Sequence, residues 1–245
     1  MPFTFSHPIA VFPLTFLPQK WVSLTGLIIG STIPDFEYFI RMKINSQYSH
    51  TIDGIFWFDL PLAILIAFIF HNIVRDSLYS NLPLFFQKRL TGFKDFKWNS
   101  YFRQNWLIMI TSTLTGILTH LLWDNFTHET GYFVERISLM KDNVDISSFS
   151  IPVFKILQHG STLIGGAILI FVILRLPESD KKPQKINYLY WLTFIIIIGI
   201  VLGIRFLTGL DYKLYGLVIV NLISATLIAL IVTPLLIKNL IKISI

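Results

Sequence analysis

Two apolar runs near the C-terminus constrain the fold more than any other feature of the chain. Tyr188 to Leu207 contains one charged residue, Arg205, and Leu214 to Ile237 contains none. Each run matches the roughly 20 apolar residues that an α-helix needs to cross a bilayer. Charged residues make up 14% of the chain, whereas a typical soluble domain has about 25%. The sequence therefore predicts an integral membrane protein.

Three weaker apolar runs are also long enough to span, namely Trp57 to Val74, Asn105 to Trp123 and Gly160 to Leu176. The first 33 residues allow two interpretations, a single span from Trp21 to Ile33 or a hairpin of two short helices that turns at Pro18-Gln19-Lys20. We favour the hairpin because it returns His7 to the side of the membrane that holds Asp35. The predicted fold is all-α, a polytopic membrane helical bundle of about six or seven helices.

Polar residues divide this bundle into two parts. Residues 1–176 form a membrane domain that carries the His and Asp residues discussed below. Residues 177–245 form a C-terminal pair of transmembrane helices within the same membrane unit. Because this pair shows no polar stripe, we expect it to serve as lipid-facing support or as a dimer surface.

The distribution of charge predicts an orientation. The side that holds loop 75–104 carries 13 of the 20 Lys and Arg residues, and the side that holds loops 34–56 and 124–159 carries ten of the 14 acids. The positive-inside rule makes the first side cytoplasmic, together with the C-terminus, in a bacterial inner membrane. The net charge of +6 is assigned to contacts with anionic membrane lipids, and no motif for nucleic acid is present. The sequence does not fix the oligomeric state.

The densest polar cluster lies at the end of the third apolar run, within His120-Leu-Leu-Trp-Asp124-Asn-Phe-Thr-His128. Residues four apart share a helix face, so His120, Asp124 and His128 form one stripe leaving the bilayer. Imidazole and carboxylate at this spacing are suitable ligands for a divalent metal. On a straight helix, His120 and His128 would be about 12 Å apart along the axis. Either His128 lies past the helix end, or the site holds two ions.

Further ligands are predicted on the same side of the membrane, whereas His71 lies near the other end of its helix and is interpreted as a packed histidine. The predicted metal core is His7, Asp35, His50, His120 and Asp124, and Glu37, His128 and His159 are assigned to a second shell or a second ion. Imidazole and carboxylate without any cysteine thiolate favour Zn, with Mn, Fe or Ni as alternatives, and argue against Ca.

A divalent ion at such a site lowers the pKa of water from 15.7 to about 7, which makes hydroxide available at neutral pH. The predicted reaction is metal-dependent hydrolysis of a phosphoester-type bond in a lipid-embedded substrate, with Glu37 or Glu129 as general base. Two other functions stay open. Intramembrane His and Asp residues also line ion or proton pathways, and a non-catalytic membrane scaffold could keep a metal site.

Several segments together resemble the bacterial domain of unknown function 4184, over nearly the whole chain. They are the opening Met1-Pro2-Phe3-Thr4-Phe5-Ser6-His7-Pro8, the block Gly30 to Tyr38, Ser49-His50-Thr51 and the His120 to His128 segment. The pattern is also similar to that of inner-membrane-bound metal-dependent hydrolases. That resemblance implies functional roles for the matching residues, which are His7, Asp35 with Glu37, His50, and His120 with Asp124 and Thr127. Glu37 and Thr51 depart from it, since the pattern usually has Asp and Ser there.

Overall fold

The computed structural model describes residues 3–146 and 149–243, and this part of the chain is dominated by helices. Within these residues, five helices are long and apolar enough to cross a membrane, which confirms the predicted all-α membrane fold. In chain order the helices are α1 (Pro8–Val11), α2 (Leu24–Gly30), α3 (Phe36–Arg41), α4 (Ile52–Gly54), α5 (Leu60–Ile69), α6 (Arg75–Asn81), α7 (Leu84–Leu90), α8 (Trp98–Thr127), α9 (Tyr132–Arg136), α10 (Val153–Arg175), α11 (Tyr188–Leu207) and α12 (Tyr215–Ile243).

Shorter elements connect these helices. Two π-helical segments, Ile55–Asp59 and Phe70–Val74, join α4, α5 and α6 into one apolar run from Ile52 to Asn81. An antiparallel pair of strands, β1 (Asn143–Ile146) and β2 (Phe149–Pro152), precedes α10, with Val144 opposite Ile151. The chain forms two compact units, residues 1–35, 48–63 and 105–175 in the first and residues 36–47, 64–104 and 176–245 in the second.

In the first unit, the N-terminal segment folds back on itself, as in the hairpin alternative. Pro8 occupies the first turn of α1, where its missing N–H costs no hydrogen bond, and a 3₁₀ segment continues to Phe16. After a turn, the Ser23 side chain caps α2 by accepting a hydrogen bond from the amide of Gly26. The amide of Phe3 donates to the Thr162 hydroxyl, which anchors the start of the chain on α10.

Helix α2 packs closely on α8. A Cβ atom at Gly30 would lie 2.2 Å from the carbonyl oxygen of Thr113, and one at Gly116 would lie 2.6 Å from the carbonyl oxygen of Leu27. Small residues permit this backbone-to-backbone approach, which is a common way for membrane helices to associate. Helix α8 itself is kinked at Asn105, whose φ of −129° is not helical. The close packing sets the end of α2 against the C-terminal half of α8.

The second unit contains the C-terminal helix pair. Asn221 and Ser224 of α12 are buried, and they donate hydrogen bonds to the carbonyl oxygens of Met42 and Phe39. The C-terminal pair was expected to lack polar stripes, whereas α12 uses buried polar groups to hold α3 and the residue that follows it. His71 stacks on Trp98 with ring centroids 4.6 Å apart, in agreement with its interpretation as a packed histidine.

Candidate metal centre

Four elements of the first unit bring predicted ligands together. Asp35 ends a buried 3₁₀ turn directly after α2, and His50 precedes α4. His120 and Asp124 lie one turn apart near the C-terminal end of α8, and His7 lies at the N-cap of α1. One ligand atom from each of Asp35, His50, His120 and Asp124 lies within 4.8 Å of all the others. The structure therefore contains a His/Asp cluster able to hold a metal ion.

The four histidine–aspartate separations are too long for ordinary hydrogen bonds. His120 Nε2 is 3.3 Å from an Asp124 oxygen and 3.6 Å from an Asp35 oxygen. His50 Nε2 is 3.4 Å from Asp124 and 3.7 Å from Asp35. N–H···O bonds are typically about 2.7–3.2 Å long. Bonds of about 2.0–2.2 Å place two ligands of a tetrahedral zinc ion roughly 3.3–3.6 Å apart, which matches the observed spacing.

Buried polar atoms without hydrogen-bond partners give a second test of whether these residues suit a metal ion. Oδ1 of Asp35 and Nε2 of His120 are both buried, and neither has a hydrogen-bond partner within the residues that the structure describes. A buried carboxylate oxygen or imidazole nitrogen is costly to leave unsatisfied. Both atoms belong to the cluster and lie 3.6 Å from each other. A divalent cation would satisfy both of them, so the donor set fits a metal ion.

The tautomer of His120 is fixed by the backbone. Its Nδ1 lies 2.8 Å from the carbonyl oxygen of Ser31, which can only accept, so Nδ1 carries the proton. Nε2, the other ring nitrogen, faces Asp35 and Asp124 and is the atom that can bind a metal ion. Metal-ligating histidines commonly donate their other ring N–H to an acceptor in this way. The close packing of α2 on α8 is what brings the Ser31 carbonyl to this ring.

A hydrogen bond to its second carboxylate oxygen, Oδ2, orients Asp35. The Thr4 hydroxyl donates a hydrogen bond of 2.5 Å to Oδ2 of Asp35, and both residues are buried. This leaves Oδ1 toward the two histidines. The 3₁₀ segment Thr4–Ser6 thus supports the cluster from the N-terminal end of the chain.

His7 lies against the cluster. Its ring stacks on that of His120 with centroids 3.9 Å apart, and its Nε2 is 3.8 Å from Asp124. Burial lowers the pKa of His7 from its usual 6.5 to about 4, and the neighbouring His120 lowers it further against the opposing effect of Asp124. His7 is consequently neutral at pH 7. Neither of its ring nitrogens has a hydrogen-bond partner in residues 3–146 and 149–243, so His7 can supply another ligand.

One side of the cluster is accessible. The His50 and His128 side chains are 21% and 29% exposed, whereas that of His120 is completely buried. His128 follows Thr127, the last residue of α8, and its Nδ1 lies 3.5 Å from an Asp124 oxygen. It therefore lies past the helix end, the first of the two alternatives left open by the spacing. His50 adopts a left-handed backbone with φ of 62°, and its Nδ1 lies 3.1 Å from the Ser49 hydroxyl.

Three further predicted site residues are not among the four that form the cluster, namely Glu37, Glu129 and His159. Glu37 belongs to the second unit, where its carboxylate accepts hydrogen bonds from Arg41, Ser46 and the amide of Gln47. Glu129 and His159 are exposed. Their predicted roles in catalysis and in metal binding stay predictions.

Three residues that orient the ligands were not identified from the sequence. They are Thr4, Ser31 and Gly30. Ser31 acts through its carbonyl group, so its side chain gives no signal. The Gly26-Leu-Ile-Ile-Gly30 spacing is a known signature of close helix packing in membranes and could have predicted the contact with α8.

Comparison with known proteins identifies a family. The model of the family described as Domain of unknown function (DUF4184) matches residues 1–242, and the chain belongs to that family. No curated protein and no solved structure matches the chain.

Proposed function

We propose that this family member is a membrane-embedded, metal-dependent hydrolase that acts on a phosphoester-type bond of a lipid-borne substrate. The observation that carries the proposal is the convergence of two buried, unsatisfied ligand atoms, on Asp35 and His120, with His50 and Asp124. A structural hydrogen-bonded network would be expected to satisfy these atoms directly. Zn is the favoured ion for this donor set, and Mn, Fe and Ni are alternatives.

The proposal assigns a role to each residue of the cluster. Asp35, His50, His120 and Asp124 hold a divalent ion, and His7 adds a neutral imidazole beside it. When bound, such an ion supplies a strong Lewis acid that lowers the pKa of water and stabilises phosphoryl oxygens. The exposed edges of His50 and His128 leave an approach for the substrate. Buried Thr4 and the Ser31 carbonyl keep Asp35 and His120 in place.

Of the two carboxylates predicted as general base, Glu129 is the better candidate. It directly follows His128, which borders the accessible side of the cluster, and its side chain is exposed. The Glu37 carboxylate already accepts hydrogen bonds from three groups, one of them the Arg41 guanidinium. A base engaged by a cation is a weaker proton acceptor.

The position of the ligands along the chain supports a membrane substrate. His120 and Asp124 lie near the end of an apolar helix, and His50 directly precedes the apolar run that begins at Ile52. Ligands at the ends of spanning helices are at the depth of lipid headgroups, so a headgroup can reach them without leaving the bilayer. The charge bias of the loops supports a location of this centre at the outer face of a bacterial inner membrane, with the C-terminus inside.

Elemental analysis of the purified full chain tests the metal site. We expect about one divalent ion per chain in the wild type and in Asp145→Asn, an exposed aspartate outside the cluster. Asp124→Asn should lose most of the metal. Equal metal contents in the two variants would refute the site.

Activity requires a separate assay. The protein in detergent is incubated with phospholipids and isoprenyl phosphates, with and without a chelator. Turnover that depends on the metal and on Asp124 supports the hydrolase. Full metal occupancy without turnover of any substrate in the panel would favour a non-catalytic scaffold instead.

A further inference from the structure

An open cleft in the second unit lies between the segment after α3 and the turn that joins α11 to α12. Its volume is about 920 Å³. Three cationic side chains line it, those of Lys43, Arg205 and Lys213, together with apolar residues that include Ile44, Leu214 and Leu217. We call this feature the basic cleft. None of its lining residues is an acid.

The three cations have no carboxylate partner in the part of the chain that the structure describes. Within residues 3–146 and 149–243, none of Lys43, Arg205 and Lys213 forms an ion pair. The nearest acid along the chain, Asp211, accepts a hydrogen bond from the amide of Lys213 and does not line the cleft. Three cations around one cleft repel each other, and an anion would remove this repulsion.

Arg205 is held in a defined position. Its Nε donates a hydrogen bond of 2.7 Å to Oδ1 of Asn221, which is completely buried. The Asn221 amide is fixed in turn, since it donates to the carbonyl oxygens of Met42 and Leu217. A guanidinium held through Nε keeps its two Nη groups for a ligand, and here Nη1 makes one long contact of 3.5 Å with the Thr208 hydroxyl. Such a preorganised planar fork suits the oxygens of a phosphate group.

The backbone beside the cleft adopts uncommon conformations. Met42, which directly precedes Lys43, has a φ of 52°, and Gly209 in the α11–α12 turn has a φ of 100°. A left-handed methionine is unfavourable on its own and persists only when its surroundings fix it. The hydrogen bond from Asn221 to the Met42 carbonyl does so, and thereby couples the position of Lys43 to that of Arg205.

From these observations we infer that the basic cleft binds the phosphate group of an anionic, lipid-like molecule. The cations and the fixed guanidinium recognise the phosphate oxygens, and the apolar lining receives the attached hydrocarbon. Arg205 is the single charged residue of a helix able to span a membrane, and ionisable residues in such segments tend to be functional. This inference does not depend on the metal centre, since all of the residues involved belong to the second unit.

Native mass spectrometry of the detergent-purified full chain provides the test. The protein is titrated with phosphatidylglycerol, which is anionic, and with phosphatidylcholine, which has no net charge. Lys43 and Lys213 are exposed, so Lys43→Gln/Lys213→Gln should fold normally. Each lysine contributes about fivefold to binding of an anionic lipid, so the double variant should lose about 25-fold in affinity for phosphatidylglycerol. Lys141→Gln/Lys155→Gln is the control, because it removes the same charge from exposed positions that do not line the cleft.

A second titration, with inorganic phosphate, shows whether the phosphate group that binds the basic cleft belongs to a lipid headgroup or to free phosphate. Tight binding of phosphatidylglycerol with weak binding of phosphate assigns the cleft to a lipid headgroup. Equally tight binding of both, lost in Lys43→Gln/Lys213→Gln, assigns it to free phosphate. Equal affinity of the two double variants for phosphatidylglycerol would overturn the inference, as would equal affinity of the wild type for the two lipids.

Discussion

Replacing Gly30 with alanine should weaken metal binding although the residue touches none of the ligands. The new Cβ would lie 2.2 Å from the Thr113 carbonyl oxygen, whereas ordinary van der Waals contact begins at 3.4 Å, so α2 and α8 must separate by about 1.2 Å. Ser31 directly follows Gly30, and its carbonyl accepts the 2.8 Å hydrogen bond from His120. A shift of that size in the same direction stretches this bond to about 4 Å, beyond any useful hydrogen bond.

Two effects of known size should follow. Overpacking of a close contact typically costs about 1–3 kcal/mol of stability. Loss of the acceptor that orients a metal-ligating histidine typically lowers metal affinity about 10–100-fold. Gly199→Ala is the matched control, because a Cβ there would meet no described atom within 4 Å. Alanine in that helical position should instead be neutral or slightly stabilising.

The measurement is a competition titration of zinc between the purified protein and a chelator of known affinity, together with thermal unfolding of both variants. We expect weaker zinc binding and a lower Tm for Gly30→Ala, and wild-type behaviour for Gly199→Ala. If Gly30→Ala bound zinc as tightly as Gly199→Ala, the Ser31 carbonyl could not be what orients His120.

Three further predictions concern the same centre. Thr4→Val removes the hydroxyl that donates to buried Asp35 and should weaken zinc binding about tenfold. The controls are Thr4→Ser, which keeps the hydroxyl, and Thr111→Val, which changes an exposed threonine. Equal zinc affinities of Thr4→Val and Thr4→Ser would contradict this role of the hydroxyl. A chelator should lower the Tm of the wild type, because the ion binds the folded state, and should leave that of Asp124→Asn unchanged; an equal drop in both would show that the chelator acts elsewhere. The metal-free protein should lose stability as pH falls from 6.5 to 4, because the unfolded chain then binds a proton that folded His7, with its pKa of about 4, does not. His7→Gln should flatten that pH dependence in thermal unfolding, and an unchanged slope would show that His7 is not its source.

Much of the fold could be predicted because the bilayer imposes simple rules on the sequence. Tyr188 to Leu207 and Leu214 to Ile237 correspond to α11 and α12, since a long uncharged run has few alternatives to a spanning helix. The N-terminal hairpin was predicted from the need to bring His7 near Asp35. The polar contacts of Asn221 were not predicted, because single polar residues in an apolar run carry no periodicity that reveals their partners.

The candidate site, like the fold, could be predicted only in part. The i, i+4 spacing on one helix correctly predicted that His120 and Asp124 lie together, since this is a local property of the chain. Whether His128 continued the helix depended on where α8 ends, and a sequence pattern locates helix ends poorly. The pairing of Glu37 with Arg41 was not predicted, although both residues lie on α3 one turn apart.

The left-handed backbone of His50 has a consequence for how this protein would respond to selection. A residue with a Cβ at φ of 62° costs about 1 kcal/mol relative to glycine, so the histidine imidazole is kept at the expense of local stability. A library at this position screened for thermal stability of the metal-free protein should therefore enrich glycine and asparagine over the native histidine. The same screen performed with zinc present should retain the histidine, so the preferred residue at one backbone position would report whether the ion contributes to the folded state.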